Sequence, residues 1–310
     1  MTQPRLATQT EHGRMYARAD GGEPEVPSIT TVIGQQATDL GGWHGYMAAK
    51  AVLEDDRALR AGRSAGLRHA VIRDAALAAE RYRDQAAARG DRVHAYCEAV
   101  ALRAMGREHD VDGAREALML HQETAWADRF DEWWEAYRPE PLAPEITVWN
   151  RTVGYAGTLD LVARIGGRVC IIDYKTKGTD RKGRVKALDE KVIMQLVAGV
   201  KAEESLVDPA AGTWEPWAYG DAPVLLGVAL GETEVRAQQA NPELLRHHWR
   251  SFCALRRVWQ HHHELAQLTR EAALPPLMAV VPPPHRKPDA APADTPEPAT
   301  ADPTTTRRAS

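Results

Sequence analysis

The stretch that decides the fold is Gly154-Tyr155-Ala156-Gly157-Thr158-Leu159-Asp160, followed after a hairpin by Ile171-Ile172-Asp173-Tyr174-Lys175-Thr176-Lys177. Thr158 to Ile165 reads as a strand, Gly166-Gly167 as a hairpin signal, and Arg168 to Tyr174 as a second, largely buried strand. In this reading Asp160 opens its strand and Asp173 lies near the end of the next, so the hairpin sets both carboxylates at one end of the sheet. Lys175 is two residues beyond Asp173 and points to the same face. Two close carboxylates repel unless a cation lies between them. Hard oxygen ligands suit Mg²⁺ or Mn²⁺. An ammonium beside such an ion can orient a water or stabilise charge building on a phosphate. The pattern therefore points to metal-assisted phosphodiester hydrolysis. Taken alone, D-x-K is also what a same-face surface ion pair looks like.

Outward from this hairpin the pattern is mixed. Pro27 to Gly34 (PSITTVIG) is β-branched and reads as extended. Asp39 to Gly106 is rich in Ala, Arg and Glu and reads as several helices, with breaks at Gly62, Gly66 and Gly90. Trp126, Phe130, Trp133 and Tyr137 share one helical face, expected to be core. Glu145 to Arg151 alternates with period two, Gly154 to Gly157 reads as a turn, Lys186 to Glu204 as a helix, Pro223 to Leu230 as a strand and Pro242 to Thr269 as a final helix. The sum is an α+β fold, an α/β core whose mixed central sheet is flanked by helices. A helical part is expected at about 38–137 and a core at about 140–274. Half of the 20 prolines fall in 275–310, with Ala, Thr, Asp and Glu between them, which reads as a disordered tail.

The hairpin resembles the core of the PD-(D/E)XK nuclease superfamily, in its RecB-like, phage-type exonuclease branch. Arg89-Gly90-Asp91-Arg92-Val93-His94 resembles that branch's glycine-then-helix motif, Gln195-Leu196 its glutamine helix, and Pro27 to Ile33 with Trp43 its opening segment. The resemblance implies a restriction-endonuclease-like core. It implies that Asp160, Asp173, His94 and the backbone carbonyl of Tyr174 bind Mg²⁺ or Mn²⁺, and that Lys175 serves the nucleophilic water. Glu145 either joins this set, holds a second metal, or is a solvated strand-end carboxylate. Glu98, one turn beyond His94, either orients the imidazole or is an ordinary surface residue. The branch usually places a tyrosine four residues after the glutamine. Here that position is Gly199. Leu159 stands where the family name has proline.

The implied activity is a metal-dependent DNA exonuclease of recombination, repair or replication. A structure-specific or nicking endonuclease, and a catalytically silent DNA-binding subunit, are the alternatives. DNA is the expected partner, with a recombination or replication protein beside it. Net charge is −4, so any DNA affinity must be local. Lys175, Lys177, Arg181, Lys182, Arg184, Lys186 and Lys191 outnumber Asp180, Asp189 and Glu190 by four, which makes this loop the expected backbone-binding edge together with Gln195. Cys97, Cys170 and Cys253 have no CxxC spacing, so no iron–sulfur cluster is expected and each reads as a small apolar residue. His247, His248, His261, His262 and His263 read as helix-surface residues. No apolar run reaches the roughly 18 to 20 residues that cross a bilayer, and no leader is readable, so a cytoplasmic protein is expected.

Overall fold

The computed structural model describes residues 4, 6–220, 222–271, 273–275, 277 and 278. Strands β1 (Ala7–Thr10), β2 (Gly13–Tyr16) and β3 (Val26–Pro27) come first. Helices α1 (Ile29–Ile33), α2 (Gly41–Glu54), α3 (Ala65–Ala76), α4 (Ala78–Ala104), α5 (Val111–Leu120) and α6 (Thr124–Tyr137) follow. Then come β4 (Glu140–Asn150), β5 (Tyr155–Ile165), β6 (Arg168–Thr176), α7 (Glu190–Val200), β7 (Glu204–Asp208), β8 (Thr213–Pro216), β9 (Val224–Leu230), β10 (Val235–Gln239) and α8 (Leu245–Glu271). The chain divides into two compact units, Met1–Ala266 and Gln267–Ser310. The segment 275–310, read from sequence as a tail, lies outside the described residues apart from Pro275, Leu277 and Met278.

The fold class is α+β. Among the described residues the larger sheet has seven strands in the order β10-β9-β6-β5-β4-β7-β8, and β1-β2-β3 form a smaller one. β4, β5 and β6 are the expected antiparallel meander, and β6 pairs with β9 in parallel, so the sheet is mixed. Alternation along β6 divides the core. Cys170, Ile172 and Tyr174 pack with Val93, Phe130 and Trp133 of α4 and α6. Ile171 packs with Val192 and Leu196 of α7. No helix is long and apolar enough to cross a membrane among the described residues.

Several local readings are corrected. Pro27 to Gly34 is extended only through Ser28, which bridges to Ala156. The Ser28 hydroxyl accepts from the Thr31 N–H at 2.9 Å and starts α1, whose Ile29, Val32 and Ile33 are buried. Helical spacing of three apolar residues overrides β-branched propensity here. Gly90 does not break α4. It sits inside that helix, and a side chain there would begin 3.5 Å from the Thr176 hydroxyl of β6. Gly62 lies within the 3-10 turn Ala58–Arg63 and Gly66 within α3; the break between them is at Ser64, whose side chain caps α3. Tyr137 is 43 % exposed and stacks on Trp133 rather than entering the core. The turn before β5 closes at Gly154, so Gly157 belongs to the strand. The helix expected from Lys186 to Glu204 is shorter, starting after the Asp189 cap and ending at Val200.

Gly157 shows how tightly α1 meets the sheet. A Cβ built there would lie 2.5 Å from Ile29 Cδ1 and 2.9 Å from its Cγ1. Gly157→Ala is therefore expected to overpack this contact and to cost about 1–3 kcal/mol, read as a lower midpoint in urea at unchanged slope. An unchanged midpoint would show that α1 is free to move away from β5.

Candidate functional site

Three acidic residues lie abreast on three neighbouring strands. The β4–β5 register pairs Pro144 with Leu161 and Ile146 with Leu159, so Glu145 and Asp160 fall opposite each other between those pairs. The β5–β6 ladder ends at Leu161 with Ile172, one step short of Asp160 and Asp173. Asp160 thus lies in the middle of β5, not at its start. The backbone is irregular at this point. Glu145 takes φ 46°, a left-handed conformation that costs a residue with a Cβ roughly 1–3 kcal/mol. Leu159 packs toward α7 and Leu161 toward α4 and α6, so the alternation of faces reverses across Asp160.

That reversal turns Asp160 toward α4. Its Oδ1 lies 3.5 Å from His94 Nδ1, and its Oδ2 accepts the Tyr174 N–H at 2.7 Å. On its other edge the imidazole places Nε2 3.0 Å from the Tyr174 carbonyl oxygen. Lys175 Nζ donates to Asp173 Oδ1 at 2.7 Å and lies 3.4 Å from the same Tyr174 carbonyl. Asp173 Oδ2 is also 2.7 Å from Nζ, but it is buried and no hydrogen bond reaches it. Tyr174 is the hinge of this arrangement. Its ring meets Phe130 at 5.4 Å and Trp133 at 5.6 Å, both edge-on, which fixes the backbone that His94 and Asp160 share.

Each charge is set by its neighbours. Burial opposes a charged imidazole at His94, yet Asp160 outweighs it and lifts the group to about 9. Burial, then the charge of Asp160, raises Glu145 to about 8. Burial raises Asp173 to about 6, with Lys175 pulling against it. Asp160 is held below the usual carboxylate range, because His94 and then Lys175 outweigh its burial. At Lys175 burial opposes the charge, but Asp173 and Asp160 hold the ammonium above its ordinary value.

The donor set fits a divalent cation. Ligand atoms of His94, Glu145 and Asp160 all lie within 4.8 Å of one another. Two carboxylates and an imidazole match the mixed oxygen and nitrogen preference of Mn²⁺ and related ions. Asp173 is not part of that cluster. Its carboxylate is engaged by Lys175, and Glu145 stands where a second acid was expected.

All three cluster residues and Lys175 line one cavity of about 370 Å³. Gln195 also lines it, as do Arg14, Ser28, Thr30 and Thr158, which the sequence reading missed. Arg14 forms no ion pair among the described residues. Glu98 is half-buried, and its charge helps to raise Glu145.

The basic loop does not line this cavity beyond Lys175 and Thr176. Lys177 lies 3.7 Å from Asp189, and Arg184 pairs with Asp180 at 3.2 Å, while Arg181 and Lys182 are exposed. Cys97 and Cys170 are buried and Cys253 half-buried, all as free thiols. His263 stacks on Trp259 and His262 contacts Gln35, as side chains of a packed helix do. No known family profile matches the chain, and no curated protein does.

The raised groups carry a stability signature. Asp173, Glu145 and His94 move from 3.8, 4.5 and 6.5 to about 6, 8 and 9, so the fold holds more protons than the unfolded chain across that range. Stability from each is complete below its unfolded value and is lost as pH rises through its folded value. Asp160, shifted down, contributes in the opposite sense and only in acid. The melting temperature without metal is expected to fall from about pH 5 to about pH 9. Glu145→Gln should flatten the fall by more than about 2 °C. Mn²⁺ should raise the midpoint more at pH 8 than at pH 6, because binding must displace those protons. A flat profile in both proteins would show that the three acids do not share one field.

Proposed function

We propose that the chain is a metal-dependent deoxyribonuclease, an exonuclease acting in DNA recombination, repair or replication. The observation that carries this reading is the convergence of His94, Glu145 and Asp160 beside the Asp173–Lys175 pair in a single cavity. His94, Glu145, Asp160 and the Tyr174 carbonyl would hold the cation, with Asp173 behind Lys175. A bound Mg²⁺ or Mn²⁺ supplies a water of lowered pKa and neutralises phosphate charge.

The remaining work falls to the chain. Lys175 stays an ammonium and donates to the attacking water or to a non-bridging phosphate oxygen. Water oxygen bonds to phosphorus, and one phosphorus–oxygen bond to the adjacent sugar breaks with its electron pair passing to the sugar oxygen. The proton lost by water goes to a site carboxylate, and the sugar oxygen takes one from solvent. Arg14 and the exposed Thr30 hydroxyl offer donors to the flanking phosphate, while the buried Ser28 hydroxyl already donates to Thr31 Oγ1. Digestion of end-labelled linear and of covalently closed circular DNA with Mg²⁺ or Mn²⁺ tests the proposal. Loss of linear DNA alone is expected, reduced at least about 100-fold in Asp160→Ala and Lys175→Ala. Nicking of the circle would make the enzyme an endonuclease. DNA binding without cleavage under either metal would leave a binding subunit.

In the loop, Arg181, Lys182 and Lys186 are exposed and form no ion pair among the described residues, while Arg184 is held by Asp180. Replacing Arg181 and Lys182 with alanine should lower the slope of log affinity against log salt by about 1–2, and Arg184→Ala by less. Equal slopes in all three proteins would remove the loop from the DNA path.

A further inference from the structure

The α4 wall of the catalytic cavity runs through His94, Gly90, Ala87 and Ala86. One turn before Ala86 stands Tyr82, 45 % exposed. Its ring meets Trp43 of α2 at 6.0 Å with the planes at 68°. The Tyr82 hydroxyl lies 3.9 Å from where a side chain on Gly178 would begin. Gly178 follows Lys177 directly, so the aromatic pair borders the start of the basic loop. Lys191 closes the same edge by donating to the Thr38 hydroxyl at 2.8 Å.

α2 is unusual for a helix that carries these aromatics. It buries none of its residues, and Tyr46 is 65 % exposed. Large aromatic side chains contribute to folding by losing contact with water; Trp43 is half-buried, and Tyr46 leaves most of that contribution unused. An exposed ring beside unpaired cations is the combination that holds a nucleic-acid strand: phosphates take the charges and an unstacked base takes the ring. Arg181 and Lys182 are exposed and form no ion pair among the described residues.

We propose that Tyr82, backed by Trp43, is a stacking subsite for an unpaired base of the DNA strand that enters the cavity. The inference rests on the nuclease reading and adds to it a substrate form, a single strand or a frayed end. The strand runs along α4 from His94 to Tyr82, with its phosphates toward Arg181 and Lys182. Tyr82 is a binding residue, and the hydrolytic groups do not include it.

The test is binding of a short fluorescent single-stranded oligodeoxynucleotide, and of the same strand with abasic sites throughout, in Ca²⁺ to hold the complex without turnover. Wild type, Tyr82→Ala and Tyr82→Phe are compared, with melting temperature as the folding control. Tyr82→Ala is expected to weaken binding of the base-containing strand roughly 5- to 100-fold, the loss of one stacked base. Tyr82→Phe should stay near wild type, and the abasic strand should bind wild type and Tyr82→Ala alike. Equal binding of the base-containing strand by all three proteins would overturn the subsite and leave the nuclease reading intact. An equal loss on both strands would assign Tyr82 a structural role and would also overturn it. No binding of either strand by wild type would overturn the subsite, while digestion of linear duplex DNA decides the nuclease reading separately.

Discussion

Glu145, Asp160 and Asp173 lie abreast on three adjacent strands, and their mutual repulsion is the constraint to which the rest of the structure answers. Two unit charges 4 Å apart interact by about 4 kcal/mol at an effective dielectric constant near 20. The row has two cations to offset this, His94 from α4 and Lys175 from β6 itself. They are used unequally. Asp160 receives His94 and the Tyr174 N–H and stays ionised. Asp173 receives Lys175. Glu145 receives no direct cation in an ion pair among the described residues, and it is pushed to about 8. The member of the row without such a pair is the one that burial and the charge of Asp160 push up, against the partial relief of His94 and Lys175.

The scaffold around this row is arranged to keep it in place. Tyr174 joins the site to the core through one residue, with its ring among Phe130 and Trp133 and its carbonyl oxygen between His94 and Lys175. α4 carries His94 on a helix anchored one residue earlier by Val93 and farther along by Tyr96, Cys97 and Val100, all buried. Gly157 lets the Ile29 side chain of α1 pack directly on β5. This approach occurs three residues from Asp160, so the position of the Ser28–Thr30 edge depends on the fit of Ile29 against the β5 backbone.

Much of this was legible from residue spacing. The period-two relation of Asp173 to Lys175 and the hairpin at Gly166-Gly167 place the lysine and two carboxylates without any knowledge of the fold. The position of Asp160 within its strand was misjudged, because Gly157 reads as a turn residue when its role is to admit Ile29. The turn of Asp160 toward His94 was not legible, because strict alternation assumes regular backbone and the reversal at Asp160 breaks it. Glu145 could be named as an acid near the site but not placed, since nothing in a glutamate announces φ 46°. The small sheet was invisible because strands of two to four residues carry too little pattern. In the loop, the pair of Asp180 with Arg184 was not legible, because residues four apart are neighbours on a helix and 180–184 is a turn.

Glu145 concentrates two costs at a single position. A glycine would adopt φ 46° without strain, and a neutral side chain would escape both burial of charge and repulsion from Asp160. Glutamine would relieve the second cost, and glycine would relieve both. A residue that is unfavourable on both counts, opposite an acid that already holds the neighbouring histidine, is a local conflict of the kind found where a structure serves something other than its own stability. The carboxylate is the one property of Glu145 that neither glycine nor glutamine supplies. It points at the two groups, His94 and Asp160, that together with it can surround a cation.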